Sequence, residues 1–465
     1  MPLTAVRFDG HVRHFDLVII GTGSGNSIVD KRFADWNVAI VEKGTFGGTC
    51  LNVGCIPTKM FVHTADLAAV PANAAKFGVD AELTGVRWTD VRDRIFGRID
   101  PIANSGREYR TSHPDNENVT VYTGQSRFVG PKTLDTGTGE TITADRFVLA
   151  AGSRPITPDV PGLNEIDFHT SDTVMRLEEL PRTMIILGGG FVAAELAHVF
   201  SSFGVDVTVI ARSGALLRHE DADVSARFTE LASQRWDVRL NRLAVRAERT
   251  GDGVTLHLDN GETVAAQELL VATGRRPNTD LLNLAATGVE LDDDGYVIVD
   301  EHQKSTVDGV YSLGDMSSHH QLKHVANHEA RVVQHNLLHP DEPIAADHRF
   351  VPHAVFSSPQ IASVGLTEEQ ARDVPHVVST QDYAGIAYGW AMEDTTGFAK
   401  LIADPSTGLL LGAHIIGPQA STLIQPVIQA MSFGLDARTM ARGQYWIHPA
   451  MPELIENALL NLPLG

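Results

Sequence analysis

The chain has 465 residues, of which 37 are basic and 58 acidic, giving a formal net charge of -21. This length exceeds what one hydrophobic core usually supports, so about three domains are expected. An acidic surface repels nucleic-acid phosphates and anionic lipids, which argues against both as binding partners.

The start of the chain and its cysteines indicate the compartment. Residues 1–14 lack the apolar stretch of a signal peptide, and the most apolar segment, residues 184–200, is interrupted by three glycines, Glu195 and His198, so no membrane span is predicted. Both cysteines lie within one hexapeptide, unlike the framework of a secreted disulfide-rich protein. We therefore expect a cytoplasmic protein in which the pair is a redox centre or a metal site.

The first predicted elements form a nucleotide-binding unit. Residues 15–20 are a β-rich apolar run, a glycine turn follows at residues 21–26, a helical stretch is expected over residues 28–34, and a second strand at residues 38–41 ends at Glu42. This order of strand, glycine turn, helix and strand predicts a dinucleotide-binding βαβ unit.

The residue types of this turn have physical reasons. Gly21 allows the tight turn, and Gly23 lets the backbone approach a pyrophosphate, which the N-terminus of the next helix would hold. Glu42, about twenty residues on, can accept hydrogen bonds from a ribose hydroxyl. Asn26 stands where a third glycine is usual, which weakens the expectation of close helix-to-strand packing but not that of the phosphate contact.

Residues 47–59, which include Cys50 and Cys55, carry the strongest signal. A disulfide needs Cα atoms about 4.4–6.8 Å apart, which ideal helical i,i+5 spacing exceeds, so Gly54 is expected to distort the chain. Pro57 suits the first turn of a helix that begins near Cys55, whose N–H groups and dipole would stabilise a thiolate. Zinc binding and buried inert cysteines are the alternatives, but two sulfurs are half a tetrahedral site and no nearby histidine pair completes it.

A second unit of the same kind follows. Residues 184–187 are apolar, a glycine turn occupies residues 188–193, a helix is predicted over residues 195–203, and the next strand covers residues 206–210. Two such units predict two dinucleotide sites.

The end of that second strand indicates which nicotinamide cofactor binds. Ala211, Arg212 and then Arg218 occur where an NAD site usually offers a carboxylate, whereas a 2′-phosphate needs a guanidinium. The arginines favour NADPH, and the alternative is a pair of solvated surface residues.

The composition changes again from about residue 347, where β-type runs such as residues 409–416 and an amphipathic helix near residues 422–433 predict an α+β domain.

Near the end, His448 precedes Glu453 by five residues, and an imidazole oriented by a carboxylate can accept a thiol proton and return it. Because the chain has 20 histidines, an ordinary surface or core role for His448 stays open on chemistry alone.

These motifs together resemble the pyridine nucleotide-disulfide oxidoreductases of the glutathione reductase and lipoamide dehydrogenase type, over essentially the whole chain after Phe15. The resemblance implies an α/β fold with two Rossmann-like domains and a C-terminal α+β dimerisation domain, with FAD and NADPH as cofactors. The expected ranges are 1–154 and 277–346 for FAD, 155–276 for NADPH, and 347–465 for dimerisation. Residues 21–28, 45–50, 96–102 and 388–394 are similar to one branch of the family, whose substrate is the disulfide mycothione.

The resemblance also implies roles for individual residues. Cys55 would be the charge-transfer thiolate beneath the flavin, and Cys50 the interchange thiol that attacks mycothione. His448, with Glu453, would serve the disulfide of the other subunit in a homodimer, and Lys59 and Glu195 would form an ion pair beside the reactive flavin nitrogen, unless they are an ordinary helix-surface pair. The implied cofactor-binding positions are Gly21, Gly23, Gly25, Glu42, Thr49, Lys59, Gly152, Asp315, Gly188, Gly190, Arg212, Arg218 and Gly274, with no metal site.

Three alternatives are weighed against this function. Lipoamide dehydrogenase, which runs toward NAD reduction, is disfavoured by Ala211 and Arg212. Mercuric reductase and the larger thioredoxin reductases carry an additional C-terminal redox pair, whereas no cysteine follows Cys55. A flavin-binding redox sensor without turnover is the alternative from a different class.

Overall fold

The computed structural model describes residues 12–251 and 253–464, so most of residues 1–14, for which no signal peptide is predicted, lies outside the described residues. The chain divides into two units, each made of separate stretches. Unit 1 comprises Met1–Ile56, Phe96–Arg154 and Arg275–Asp347, and unit 2 comprises Pro57–Ile95, Pro155–Gly274 and His348–Gly465, in both cases as far as these stretches are described.

The described elements are as follows in chain order. The strands are β1 (Arg13–Ile20), β2 (Val38–Val41), β3 (Val119–Tyr122), β4 (Arg127–Gly130), β5 (Thr133–Asp135), β6 (Thr141–Leu149), β7 (Ser153–Pro155), β8 (Thr183–Leu187), β9 (Asp206–Ala211), β10 (Asp237–Leu240), β11 (Ala244–Thr250), β12 (Gly253–Leu258), β13 (Thr263–Ala266), β14 (Glu268–Val271), β15 (Arg275–Pro277), β16 (Val310–Ser312), β17 (His353–Val355), β18 (Ile361–Gly365), β19 (Val377–Asp382), β20 (Phe398–Ala403) and β21 (Leu410–Ile416). The α-helices are α1 (Gly48–Asn52), α2 (Cys55–Ala74), α3 (Trp88–Ser112), α4 (Phe191–Ser202), α5 (Ala222–Ser233), α6 (Lys323–Leu338), α7 (Ala387–Ala391), α8 (Ala420–Leu423), α9 (Gln425–Phe433), α10 (Ala437–Arg442) and α11 (Glu453–Leu460).

The sheet of unit 1 positions the first glycine turn. Its strand order is β3-β2-β1-β6-β5-β4, and β16 pairs with β6 as well. The central pairs β2–β3, β1–β2, β1–β6 and β6–β16 are parallel. All four residues of β2 are buried, as expected for a parallel strand covered on both faces. In such sheets ligands bind beyond the carboxyl ends of the strands, which is where the turn after β1 and Glu42 after β2 lie.

The prediction of an α-helix over residues 28–34 is wrong. The stretch contains one short 3₁₀-helix, Lys31–Phe33, and another, Gly25–Ser27, comes just before it. The Asp30 carboxylate accepts a hydrogen bond from the Arg32 backbone N–H at 2.9 Å and also binds the Arg32 side chain. Short-range bonds of this kind compete with a regular helix. A phosphate contact in unit 1 can therefore not be argued from the N-terminus of an α-helix.

Unit 2 contains the second nucleotide-binding pattern. Strands β10-β9-β8-β14 form a parallel sheet, and β11-β12-β13 form a separate antiparallel one. The helix predicted over residues 195–203 begins earlier, at Phe191, and ends at Ser202. Residues 155–274 are a stretch inserted between two parts of unit 1. The two ends of this inserted stretch are adjacent, because the Ile156 N–H donates to the Gly274 carbonyl at 2.9 Å and the Thr273 hydroxyl donates to the Ile156 carbonyl at 2.9 Å.

The last part of unit 2 is the predicted α+β region. Five antiparallel strands have the order β17-β18-β21-β20-β19, and buried residues of α9 and α11 join one core with buried residues of β20 and β21. Together with the mainly parallel sheet of unit 1 and the parallel sheet of unit 2, this arrangement confirms the predicted fold class. In the part of the chain that the structure describes, no helix has the length and apolar character needed to cross a bilayer.

Candidate redox and nucleotide sites

The two cysteines lie on either side of a break between two helices. Cys50 is in the short helix α1, which the Asn52 side chain fixes by donating to the Phe46 carbonyl at 2.8 Å, and Cys55 is the first residue of α2. A Cβ atom on Gly54 would come within 3.0 Å of the Thr49 carbonyl oxygen, so this close approach favours glycine. The helix start near Cys55 and the irregular backbone before it agree with the sequence-based prediction.

The structure has the pair as a dithiol in which the Cys50 and Cys55 side chains are hydrogen-bonded. This hydrogen bond, followed by burial and the charge of Cys55, raises the pKa of the Cys50 thiol far above its ordinary value, and Lys323 opposes the rise. A negative charge on Cys55 thus keeps Cys50 protonated until a base removes the proton.

The first glycine turn leaves no room for a side chain at Gly21 or Gly25. Gly21 has φ 105°, and a Cβ atom there would lie 2.2 Å from the Ala150 carbonyl oxygen. A Cβ atom on Gly25 would lie 2.7 Å from the Ala150 methyl carbon, and one on Gly48 would lie 2.7 Å from Gly23 Cα. The turn and the N-terminus of α1 are therefore in direct contact, and the turn is shaped as a cradle that a pyrophosphate fits.

Glu42 is fixed at the end of β2. Its Oε2 accepts hydrogen bonds from the Thr22 backbone N–H at 2.9 Å and the Thr22 hydroxyl at 2.7 Å, and its Oε1 accepts from the Gly44 N–H at 2.8 Å. Carboxylate oxygens can accept more than one hydrogen bond each, so the group can also receive a ribose hydroxyl.

Asn26, which replaces the usual third glycine, has a structural role that the sequence did not reveal. Buried Arg110 donates to the Asn26 side-chain oxygen at 2.8 Å and to its carbonyl at 2.5 Å. The same guanidinium donates to the Val29 carbonyl at 2.8 Å and the Asn116 side-chain oxygen at 2.7 Å. Arg110 of α3 therefore holds this stretch in place.

Asp315 follows β16 and is held by residues that the sequence analysis did not single out. The Ser153 hydroxyl donates to its carboxylate at 2.6 Å, and the Arg275 guanidinium donates to the Ser153 hydroxyl at 2.9 Å. Gly152, just before Ser153, has φ 68°. Asp315 is thereby fixed at the carboxyl end of the same parallel sheet as Glu42.

Lys59 and Glu195 form an ion pair with 2.6 Å between Nζ and Oε2. The other oxygen of Glu195 accepts the Phe356 N–H at 2.9 Å, and the Lys59 ammonium lies 4.4 Å from the centre of the Phe356 ring. Because the Glu195 side chain is only 7% exposed, this is not an ordinary surface pair.

The second glycine turn also forms a cradle. Gly188 has φ 141°, and a Cβ atom there would lie 2.2 Å from the Ala272 carbonyl oxygen. Gly190 precedes α4, and no atom lies within 4 Å of the position its Cβ would take. The first turn of a twelve-residue helix offers unpaired N–H groups, so this turn fits a pyrophosphate.

Arg212 and Arg218 are both exposed near this turn. Arg212 directly follows β9, and the Leu217 N–H next to Arg218 donates to the Gly189 carbonyl at 2.7 Å. Two exposed cations beside a nucleotide cradle can bind a phosphate group.

His448 and Glu453 are in hydrogen-bond contact, with 2.6 Å between Nδ1 and Oε1. The other Glu453 oxygen accepts the Ala450 N–H at 3.2 Å, and Glu453 is the first residue of α11. An Nδ1–H that donates to the carboxylate leaves Nε2 as the basic nitrogen. Since the His448 side chain is 69% exposed and that of Glu453 only 14%, the carboxylate is fixed and the imidazole remains accessible.

The predicted site residues are divided between the two units. Unit 1 holds Gly21, Gly23, Gly25, Glu42, Thr49, Cys50, Cys55, Gly152 and Asp315, whereas unit 2 holds Lys59, Gly188, Gly190, Glu195, Arg212, Arg218, Gly274, His448 and Glu453. Across residues 12–251 and 253–464, no group of three or more histidine, cysteine, aspartate or glutamate side chains is arranged to hold a metal ion.

Comparisons with known proteins identify the family of the chain. The model of the pyridine nucleotide-disulphide oxidoreductase family matches residues 15–330, and that of its dimerisation domain matches residues 351–459. The chain is 56% identical to mycothione reductase of Mycobacterium tuberculosis over 96% of this chain and 99% of that protein. It is 33% identical to dihydrolipoyl dehydrogenase of Corynebacterium glutamicum over 96% of this chain and 97% of that protein. Among solved structures it is similar to the HOCl-induced flavoprotein disulfide reductase RclA from Escherichia coli, with a TM-score of 0.84, 28% identity, and coverage of 96% of this chain and 99% of that one.

Proposed function

The chain belongs to the pyridine nucleotide-disulphide oxidoreductase family, and we propose that it reduces mycothione to two mycothiols at Cys50 and Cys55, with NADPH as electron donor. It is an FAD-dependent oxidoreductase that uses NAD(P)H, and it carries the family's dimerisation domain. The observation that carries the substrate assignment is the 56% identity to mycothione reductase over nearly the whole of both chains.

The dithiol geometry supports a two-step exchange at the cysteines. FAD held by the first glycine turn, Glu42 and Asp315 would supply the electron pair, taken from the nicotinamide, that opens the Cys50–Cys55 disulfide. Cys50 loses its proton to His448 and attacks one sulfur of mycothione, so that the substrate disulfide breaks and the first mycothiol leaves with the proton that His448 returns. The Cys55 thiolate then attacks the Cys50 sulfur and reforms the protein disulfide, and the second mycothiol leaves as a thiolate that takes a proton from solvent.

We assign the acid–base role to His448 acting on the disulfide of the partner subunit. The support is its exposed imidazole, the carboxylate of Glu453 that orients it, and its position in the segment matched to the dimerisation domain. A functional homodimer follows from this assignment, because each disulfide then needs a histidine from the other chain.

We assign NADPH rather than NADH on the strength of Arg212 and Arg218. No carboxylate stands at the end of β9, and both arginines are exposed beside the second glycine turn. A guanidinium is the side chain that pairs best with a 2′-phosphate.

The remaining positions are assigned by the same argument. FAD would be held by Gly21, Gly23, Gly25, Glu42, Thr49, Gly152 and Asp315 within residues 1–154 and 277–346, and NADPH by Gly188, Gly190 and Gly274 within residues 155–276. Lys59, fixed by Glu195, would lie beside the reactive flavin nitrogen. A reducing cytoplasm is the compartment in which a closely spaced redox pair such as Cys50 and Cys55 works.

The test is a comparison of kcat/KM for mycothione, glutathione disulfide and lipoamide with NADPH and with NADH. We expect mycothione with NADPH to be preferred, and a preference for lipoamide with NADH would refute the assigned substrate and cofactor. The cysteine roles are tested by flavin spectra of the reduced enzyme. Cys50→Ala should retain a long-wavelength flavin–thiolate absorption and Cys55→Ala should lose it, and the reverse order would exchange the two roles.

A further inference from the structure

The loop that carries Arg212 and Arg218 is held at its far end by side chains that the proposed function does not use. The loop runs from the end of β9 to Asp221, which caps α5 by accepting the Asp223 N–H at 3.2 Å. Its last two residues are acidic and buried, since the side chain of Glu220 is 7% exposed and that of Asp221 is 1% exposed. Carboxylates in such a place need partners, because burying an unpaired charge is costly.

Lys400 is the partner of Asp221, and it comes from the C-terminal sheet, which consists of β17 to β21. Its Nζ lies 2.9 Å from Asp221 Oδ1, and the other oxygen of Asp221 accepts the Glu368 N–H at 3.1 Å. The same ammonium lies 2.7 Å from the Asp223 carboxylate and 2.5 Å from that of Glu368. Because the Lys400 side chain is only 3% exposed, water screens these contacts little, and the lysine fixes the end of the loop to the sheet.

Glu220 is bound to the same sheet by two further contacts. Its Oε1 lies 2.8 Å from Nε2 of His353 on β17, and its Oε2 accepts a hydrogen bond from the Ser363 hydroxyl of β18 at 2.8 Å. Three strands of the C-terminal sheet therefore bind two consecutive residues at the end of the loop.

The conformation of the loop depends on anchoring of this kind. Leu217, next to Arg218, has φ 51°, a left-handed conformation that is unfavourable for a residue with a Cβ atom. Such a conformation persists only where surrounding contacts enforce it. Here the Leu217 N–H donates to the Gly189 carbonyl at 2.7 Å, and the Glu220 N–H donates to the Leu217 carbonyl at 2.9 Å. A shift at the end of the loop is therefore passed to Leu217 and to the arginine beside it.

A buried ion pair provides geometry more than stability. Compared with apolar side chains of similar size, the Lys400–Asp221 pair adds little free energy of folding, because both charges lose their water. Charge-assisted hydrogen bonds are directional, however, and Asp221 and Glu220 each accept donors at both carboxylate oxygens. The arrangement is suited to keeping the loop in one position, and two exposed arginines that must meet one phosphate group need such a position.

We propose that Lys400 is a positioning residue for the nicotinamide cofactor, which by binding Asp221 holds the loop so that Arg212 and Arg218 can pair with the 2′-phosphate of NADPH. This role rests on the proposed function, in which the two arginines bind that phosphate. Lys400 acts through Asp221 and not by contact with the cofactor, so it contributes to the choice between NADPH and NADH from a different part of the chain.

The test is equilibrium binding of NADP⁺ and of NAD⁺ to the oxidised, FAD-loaded protein, measured by isothermal titration calorimetry. The two ligands differ only in the 2′-phosphate. We expect Lys400→Gln to raise the Kd for NADP⁺ by about tenfold and that for NAD⁺ by less than about twofold. Lys400→Arg keeps the charge and should restore most of the affinity for NADP⁺. Hydrogen exchange of the backbone amides of residues 212–221, followed by mass spectrometry without any nucleotide, should be faster in Lys400→Gln than in the parent protein.

Two further variants separate position from stability. Arg235→Ala is the matched control, because Arg235 follows the other end of α5 and its guanidinium donates to the Ser358 carbonyl at 2.7 Å, near the C-terminal sheet. It should change neither Kd nor the exchange of residues 212–221. If Lys400→Gln does not fold, Lys400→Met combined with Asp221→Asn removes both buried charges while an asparagine still caps α5, and the same rise in the Kd for NADP⁺ is expected.

The ratio of the two Kd values decides the outcome. A folded Lys400 variant without the positive charge that keeps the ratio of the parent protein would overturn the role of Lys400, even if its Tm falls, because a purely structural role lowers stability without changing this ratio. A parent protein that binds NAD⁺ as tightly as NADP⁺ would refute the cofactor assignment, and this proposal with it. The parent protein alone therefore distinguishes the two failures.

Discussion

Replacing Glu453 tests the acid–base assignment most sharply. In Glu453→Ala the His448 imidazole loses the carboxylate that accepts from its Nδ1 at 2.6 Å. Hydrogen bonds to charged groups contribute about 1.5–3 kcal/mol, and each 1.36 kcal/mol of activation energy is tenfold in rate, so the full contribution corresponds to roughly 10–150-fold. Because the His448 side chain is 69% exposed, water replaces part of the lost interaction, and we expect about a tenfold lower kcat.

Three comparisons turn this value into a test. His448→Ala removes the base itself and should lower kcat by about 10²–10⁴-fold. Glu453→Gln retains an oxygen that can accept from Nδ1, so its loss should be smaller than that of Glu453→Ala. Adding Glu453→Ala to His448→Ala should cost nothing more, since the two residues act as one unit.

The assay must separate the two halves of the reaction. Stopped-flow reduction of the flavin by NADPH should be unchanged in all these variants, whereas reoxidation by mycothione should slow, because the pair acts only in thiol exchange. The reasoning is refuted if Glu453→Ala turns over at the parent rate, or if flavin reduction slows as much as reoxidation.

Two other predictions concern unit 2. Arg212→Ala combined with Arg218→Ala should raise the KM for NADPH about 10–100-fold with little change for NADH, since only NADPH carries the 2′-phosphate, and equal effects on both would undo the cofactor assignment. His353 and Glu220 shift each other's pKa through their hydrogen bond. Burial alone would lower the pKa of His353, but the bond to Glu220 outweighs it, and the pKa lies above 6.5. Burial alone would raise the pKa of Glu220, but the bond to His353 outweighs it, and the pKa lies below 4.5. The contribution of His353 to stability is therefore complete below pH 6.5 and is lost as the pH rises through the pKa of the folded state. The contribution of Glu220 is complete above pH 4.5 and is lost as the pH falls through the pKa of the folded state. His353→Gln should lower Tm most near pH 5.5 and much less at about pH 9, at equal protein concentration, and a pH-independent difference would contradict this.

Local sequence patterns predicted much of this fold. The predicted strand at residues 38–41 has the same bounds as β2, and the predicted start of a helix near Cys55 agrees with α2, because a short continuous apolar run and the preference of Pro57 for a first helical turn act over a few residues. The same local reasoning failed at residues 28–34. There the Asp30 side chain forms hydrogen bonds with Arg32, and a prediction from average helix preference does not include such bonds.

The parts of the site that depend on distant residues could not be predicted. Arg110 lies 84 positions from Asn26, and Lys400 lies 179 positions from Asp221. Neither contact has a periodicity or motif that marks it in the sequence, so only the folded chain shows why an asparagine can replace the third glycine of the turn.

The closed ends of the inserted stretch have an evolutionary consequence. Residues between Ile156 and Gly274 begin and finish at neighbouring hydrogen-bonded positions, yet Glu195 in this stretch pairs with Lys59 outside it, and Glu220 pairs with His353. A change of nicotinamide preference by exchange with a relative is therefore confined to donors that bring both carboxylates with them.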